Sequence, residues 1–301
     1  MNAQSNAMPE SIASAVSAPT VISTARPLYW SIRRELWENR SIYIAPLAVA
    51  VVTLFGYLIA SMGRALSTDN LAQRRAVLEE PLDFAMAVIM GTAFLVGVFY
   101  SLDALHSERR DRSILFWKSL PVSDLTTVLS KASIPLLVLP LLSFAIVVAT
   151  QLVMLLLSSL VLLGSGLTVA RLWTPVFQTL LMLLYHLVTV HVLWHSPIYA
   201  WLLLISGWAR RAAFLWAALP PLAIGIIEKL AFNTTHFAAM LHYRLEGGAE
   251  ALTMPGSFPI DPMMHLTPGR FLSSPGLWIG LLIAAAFLSA TVRLRRYQGP
   301  I

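Results

Sequence analysis

Cysteine is absent from the 301 residues, which excludes disulfides, thiol catalysis and thiolate metal sites. Charge is scarce too: 12% of residues are charged, where soluble domains carry about 25%. No G-x-x-x-x-G-K-[ST] stretch occurs, nor any Gly-Lys pair, so the chain has no P-loop to hold nucleotide phosphates. No basic segment precedes an apolar stretch at the start. Residues 1–24, rich in Ala and Ser, therefore read as a disordered cytosolic tail and not as a secretory signal.

What is present is apolar, at 57% of residues, and it comes in long runs. These mark an all-α membrane protein, with residues 25–301 forming one domain. Runs at about 42–62, 84–105, 132–163, 173–194, 212–230 and 276–292 are each near the length a bilayer demands, about 20 helical residues. The third run is longer than needed and carries Pro135 and Pro140, which predict a bend. The fifth holds Pro220-Pro221, which predict a kinked or broken helix. Pro197 interrupts the chain after the fourth run, and Ile198 to Ala209 is too short to cross. That piece is expected to be cytosolic and interfacial, or re-entrant, with Trp201 and Trp208 as anchors.

The basic residues fix the orientation. By this assignment 14 of the 21 Lys and Arg residues fall on one side, with both termini, and the positive-inside bias makes that side cytosolic. The formal charge of +6 therefore reports topology, not a nucleic-acid partner. Ahead of the first span, residues 27–41 set Leu28, Tyr29, Ile32 and Leu36 near one face. Arg33, Arg34, Glu35, Glu38 and Arg40 lie largely elsewhere. This pattern suits an amphipathic helix lying in the bilayer interface, with Trp30 and Trp37 at headgroup depth.

Between the second and third runs lies a charged island, Ser107 to Lys131. Ile114, Leu115, Phe116 and Trp117 form an apolar knot within it, with Ser113 placed to cap a helix and Pro121 to end one. The knot predicts a helix of about two turns. Two readings fit: Phe116 and Trp117 lie in the headgroup layer, or the knot plugs into a soluble partner with the flanking arginines as a polar rim. Asp103 sits just before the island. It reads either as a snorkelling or paired structural acid or as a functional charge within the membrane.

The run Glu108-Arg109-Arg110-Asp111-Arg112-Ser113, then Ile114 to Leu120, then Pro121-Val122-Ser123, resembles the cytosolic loop between the second and third helices of ABC-2 type transporter permeases. In that family the pattern is a Glu, charged residues, commonly Gly-Thr, an apolar stretch and a Pro. Here Arg112-Ser113 stands where Gly-Thr is common. The resemblance covers residues 27–301 in layout and the Glu108 to Ser123 loop in motif. It implies that residues 27–41 are an elbow helix and that the knot is a coupling helix docking on a separate ABC ATPase subunit. Leu115, Phe116 and Trp117 would be the plug, Arg109, Arg110 and Arg112 its rim, and Glu108 the anchor at the helix start. It further implies a bacterial inner-membrane exporter subunit that pairs with a second permease copy or homologue, with no cofactor of its own and with helices dipping into the membrane within 231–275.

Chemistry of other kinds finds little footing. His191 and His195 share a helix face, but no acid joins them as in H-E-x-x-H. Met263-Met264-His265 is a lone soft-ligand triplet, Asn233 to Thr235 fits a glycosylation sequon, and Glu79-Glu80 lacks a buried site for acid-base work. The rival reading is a secondary transporter or channel without an ATPase, for which Asp103 and Pro220-Pro221 are the available features. Purified alone, the chain is expected to show no ATP hydrolysis in a phosphate-release assay; turnover that survives removal of trace contaminants would overturn the reading.

Overall fold

The chain is described by a computed structural model over residues 25–65, 71–163, 170–245 and 268–301. The tail 1–24 and the Met263-Met264-His265 triplet lie outside these residues, as do the side chains of Glu79 and Glu80. Among the described residues the fold is all-helical, in the order α1 (Ala25–Glu38), α2 (Ser41–Ala65), α3 (Leu71–Asp103), α4 (His106–Arg110), α5 (Ile114–Ser119), α6 (Asp124–Ser133), α7 (Leu139–Leu163), α8 (Ala170–His186), α9 (Ser196–Trp208), α10 (Ala213–Phe232), α11 (His236–Leu245), α12 (Pro268–Leu272) and α13 (Pro275–Tyr297). Two π-helical segments are spliced in, Ile134–Val138 between α6 and α7 and Leu187–Trp194 after α8.

Six stretches are long and apolar enough to cross a bilayer: Ser41–Ala60, Pro81–Arg110, Asp124–Leu160, Val176–Trp194, Ala213–Phe232 and Pro275–Tyr297. Each overlaps one of the six apolar runs. The third begins earlier than its apolar run because α6 continues through the π-helical segment into α7 as one rod. α3 lies centrally, packed on α2, α7 and α9. Gly97 permits that closeness: a Cβ there would come within 3.3 Å of both Leu139 and Tyr199.

The segment 198–209 departs from expectation. It belongs to α9, whose Tyr199, Leu203 and Ile205 are buried and which lies against α3, α10 and α13. It is the lower half of the fourth passage, not an interfacial strip. The passage begins where Val176 meets Tyr57, Leu82 and Met154, turns at His195, and ends where the Ser206 hydroxyl accepts the backbone N–H groups of Leu105 and His106. Neither tryptophan anchors the segment alone. Trp201 is half-buried against Phe287, and Trp208 stacks edge-on with Trp216 of α10.

Prolines explain much of the remaining geometry, because each removes a backbone donor and strands a carbonyl that lipid cannot satisfy. In π-helical register the N–H of residue 140 would meet the carbonyl of Pro135; Pro140 has none, and His191 Nε2 donates to that carbonyl at 3.0 Å. Pro221 likewise frees the Ala217 carbonyl, which accepts the Trp201 indole N–H at 3.1 Å. Pro197 frees the Leu193 carbonyl, taken by the Ser196 hydroxyl at 2.8 Å. α10 runs unbroken through Pro220-Pro221 instead of breaking there.

The bundle has a charged end, holding α4, α5, the start of α6, the α9–α10 turn and the last residues, and an opposite end where α10 meets α11. There Glu228 accepts the N–H groups of His236 and Phe237 and so caps α11. Single thiols report this polarity cleanly in a cysteine-free chain. In intact cells Thr235→Cys is expected to react with an impermeant maleimide and Ser119→Cys only after permeabilisation; reaction of both beforehand would overturn the assigned topology.

Candidate functional site

The charged end is organised by a carboxylate that the bundle encloses. Glu108, 6% exposed, sits on the short α4 and meets Lys131 at 3.1 Å, Arg295 at 2.5 Å and Arg34 at 3.0 Å. These partners come from α6, α13 and α1. A second buried acid, Glu35 of α1, meets Lys131 at 2.8 Å and accepts the Tyr100 hydroxyl at 2.7 Å. Asp124 at the start of α6 pairs with Arg295 at 3.2 Å. Charges this deeply buried stay ionised only when paired and hydrogen-bonded. α1, α4, α6 and α13 therefore each supply part of a neighbour's compensation.

α5 stands on this platform. Ile114 is buried beneath it, and Trp117 is half-buried with the Arg34 guanidinium 3.6 Å from its ring centroid. Leu115 and Phe116 point the other way, 60% and 58% exposed. Leu120 and Leu125 extend the exposed apolar strip. Thus one face of a two-turn helix is fixed to the body and the other is presented outward.

The turn into α5 explains its direction. Arg112 has φ 59°, in the left-handed region where glycine is at ease and other residues are strained. Ser113 does not cap α5 through its side chain; its hydroxyl donates to the Glu108 carbonyl at 3.4 Å, stitching α5 to α4.

The residues expected to act together are split by the fold. Arg110 and Arg112 are exposed beside α5, Arg110 pairing with Asp111 at 3.1 Å. Arg109 is not on the rim: it is buried, its guanidinium donating to the carbonyls of Gly207, Ala209 and Gly299. Trp117 is divided between body and surface, leaving Leu115 and Phe116 as the free apolar pair. Asp103 is exposed, with no buried role. Sequence reasoning missed Arg34, Glu35, Lys131 and Arg295. Lys131 and Arg295 did leave a trace, since each is a cation at the mouth of an apolar run.

α1 differs from its expected facing. Trp30 and Trp37 are exposed, bridged by Arg33 at 5.2 and 4.8 Å, as an interfacial helix would have them. Glu35, placed on the polar face by the sequence pattern, is instead buried by Lys131 and Tyr100. Tyr29 is exposed. The ion pair outweighs the simple amphipathic pattern here.

Deeper in the bundle, His191, His195 and Tyr199 line the bend of the fourth passage. The two imidazole rings lie 6.0 Å apart, His195 Nε2 donates to the Leu245 carbonyl at 3.2 Å, and His195 Nδ1 is buried without a partner among the described residues. Arg244 of α11 donates to the carbonyls of Trp194 and Gly276, so the end of α11 is fastened where this bend meets the start of α13. Among the described residues no group of three or more His, Cys, Asp or Glu converges as a metal site would require.

Comparisons of the chain with protein-family models, with curated proteins and with solved structures find no match. Removing one partner of a buried charge pair typically costs about 3–5 kcal/mol. Glu108→Gln, which leaves Lys131 and Arg295 short of a counter-charge, is accordingly expected to lower the thermal unfolding midpoint of the purified protein markedly. Arg110→Gln, at an exposed pair, is expected to leave it unchanged; equal midpoints for wild type and Glu108→Gln would show that the carboxylate is not the organising charge.

Proposed function

We propose that this chain is the membrane-spanning permease subunit of an ABC-2 type exporter, driven by ATP hydrolysed in a separate ATPase subunit and paired with a second permease copy or homologue in a bacterial inner membrane. The observation that carries the reading is α5, a two-turn helix anchored by Ile114 and Trp117 that offers Leu115 and Phe116 to a partner. A small apolar pair with arginines beside it has the make-up of a protein hot spot. The layout supports the same reading: an amphipathic α1 precedes six apolar stretches, and α5 falls between the second and third. So does the turn before α5, where Arg112 takes a left-handed conformation at the position where the family commonly has Gly.

In this mechanism, closure of the ATPase pair displaces α5. The displacement reaches α1 through Arg34 on Trp117, and reaches α6 and α13 through Glu108, so the attached spans move as packed bodies and not by local bending.

A second reading draws on the His191, His195 and Tyr199 cluster at the bend of the fourth passage, since ionisable groups at interrupted helices suit a secondary transporter. The two readings part at α5. Burial of a large apolar side chain at a hot spot is typically worth about 2 kcal/mol or more, roughly 30-fold in affinity. Leu115→Ser with Phe116→Ser is expected to abolish co-purification of an ATPase subunit in mild detergent while membrane abundance is kept, because neither side chain packs inside the fold. Retained capture, or transport by the mutant driven by a proton gradient alone, would replace the exporter reading with the second one.

A further inference from the structure

Arg109 poses a problem that the ion network does not solve. Lys131 and Arg295, the other buried cations at this end, each face carboxylates. Arg109, 6% exposed, has only neutral acceptors: Nη1 donates to the Gly207 carbonyl at 2.6 Å and the Ala209 carbonyl at 3.4 Å, and Nε donates to the Gly299 carbonyl at 3.3 Å. These carbonyls take N–H groups of Nε and Nη1 but bring no negative charge to the guanidinium. Two more guanidiniums follow on the α9–α10 turn, Arg210 and Arg211. No carboxylate side chain of the described residues pairs with any of the three.

Open space adjoins them. A cavity of about 480 Å³ is walled by Arg109 and Arg210, and an adjoining one of about 690 Å³ by Arg210, Arg211, Trp208 and Trp216; both also share Gln298 and Ile301. The Gln298 side-chain oxygen is buried without a partner among the described residues. Ala212 has φ 49°, so the turn that presents both arginines is held in a conformation that costs a non-glycine residue energy.

We propose that this turn binds the phosphate of an anionic phospholipid headgroup. A lipid is favoured over a soluble phosphate compound by what surrounds the arginines. Trp208 and Trp216, stacked edge-on with centroids 5.0 Å apart, are 45% and 46% exposed, as indoles are at headgroup depth. On α10, Leu215, Leu219 and Leu222 are exposed at helical spacing and offer an apolar path for an acyl chain. The three guanidiniums supply the charge, in the forked geometry that suits phosphate oxygens.

The test uses the full-length protein in detergent with three probes: dioleoyl phosphatidylglycerol, dioleoyl phosphatidylcholine and inorganic phosphate. Lipid retention is read by native mass spectrometry and stabilisation by thermal unfolding. Wild type is expected to retain the anionic lipid in preference to the zwitterionic one and to be stabilised by it, with inorganic phosphate having no effect. Arg210→Gln with Arg211→Gln is expected to weaken retention of the anionic lipid by roughly 30-fold, while Arg296→Gln, an exposed arginine at the same end, leaves it intact. Equal retention of the two lipids by wild type would overturn the proposal even were the double variant unstable. So would equal losses in the double variant and in Arg296→Gln, which would show general charge attraction. Stabilisation by inorganic phosphate matching that by the anionic lipid would replace the lipid with a soluble phosphate ligand.

Discussion

The buried Glu108 carboxylate is the constraint on which the charged end depends. Taking it out of water costs several kcal/mol, and its compensation arrives from Arg34, Lys131 and Arg295 on three other helices. None of those cations can leave without exposing a charge to a low-dielectric interior. In a bilayer, where lipid tails are as apolar as the helices and apolar burial gives little reason for helices to associate, such a centre defines which helix ends belong together. It also explains why an amphipathic α1, which by composition alone would float at the interface, is pinned by Glu35 to Lys131 and Tyr100.

A second constraint governs the apolar part of the bundle: every backbone polar group needs an internal partner. Several prolines strand a carbonyl, and side chains take up some of these. His191 serves the Pro135 carbonyl and Trp201 the Ala217 carbonyl, while Arg244 takes the Trp194 carbonyl near the bend at His195. These repairs also act as ties, joining the fourth passage to the π-helical segment before α7 and α9 to α10.

These two constraints give α5 its character. The helix rests on a centre that reaches α1, α6 and α13, so a force on its outward face is shared among several membrane helices and not absorbed in a loop. The last residues are bound into the same end, with Lys118 donating to the Gln298 carbonyl and the Ile301 N–H donating to the Arg109 carbonyl. The α9–α10 turn lies beside them, so lipid contacts at Arg210 and Arg211 would bear on the same body as contacts at Leu115 and Phe116.

By itself the sequence determined the membrane class, the six apolar stretches and the short helix at 114–119. It could do so because bilayer thickness sets run length, and because Pro121 and the charged flanks bound a knot only a few residues long. Contacts between distant residues were decided only in the tertiary structure. Glu108 lies 187 positions from Arg295 and 74 from Arg34, and in a linear reading each is one more charge in a polar segment. The same gap misplaced Arg109, read as a rim residue until the carbonyls at 207, 209 and 299 are seen to surround it, and misplaced 198–209, too short to cross a membrane alone but long enough to finish a passage that α8 had begun. Hydropathy is a local sum over neighbours in the chain, whereas the pairing of a buried charge depends on which helix ends meet in space.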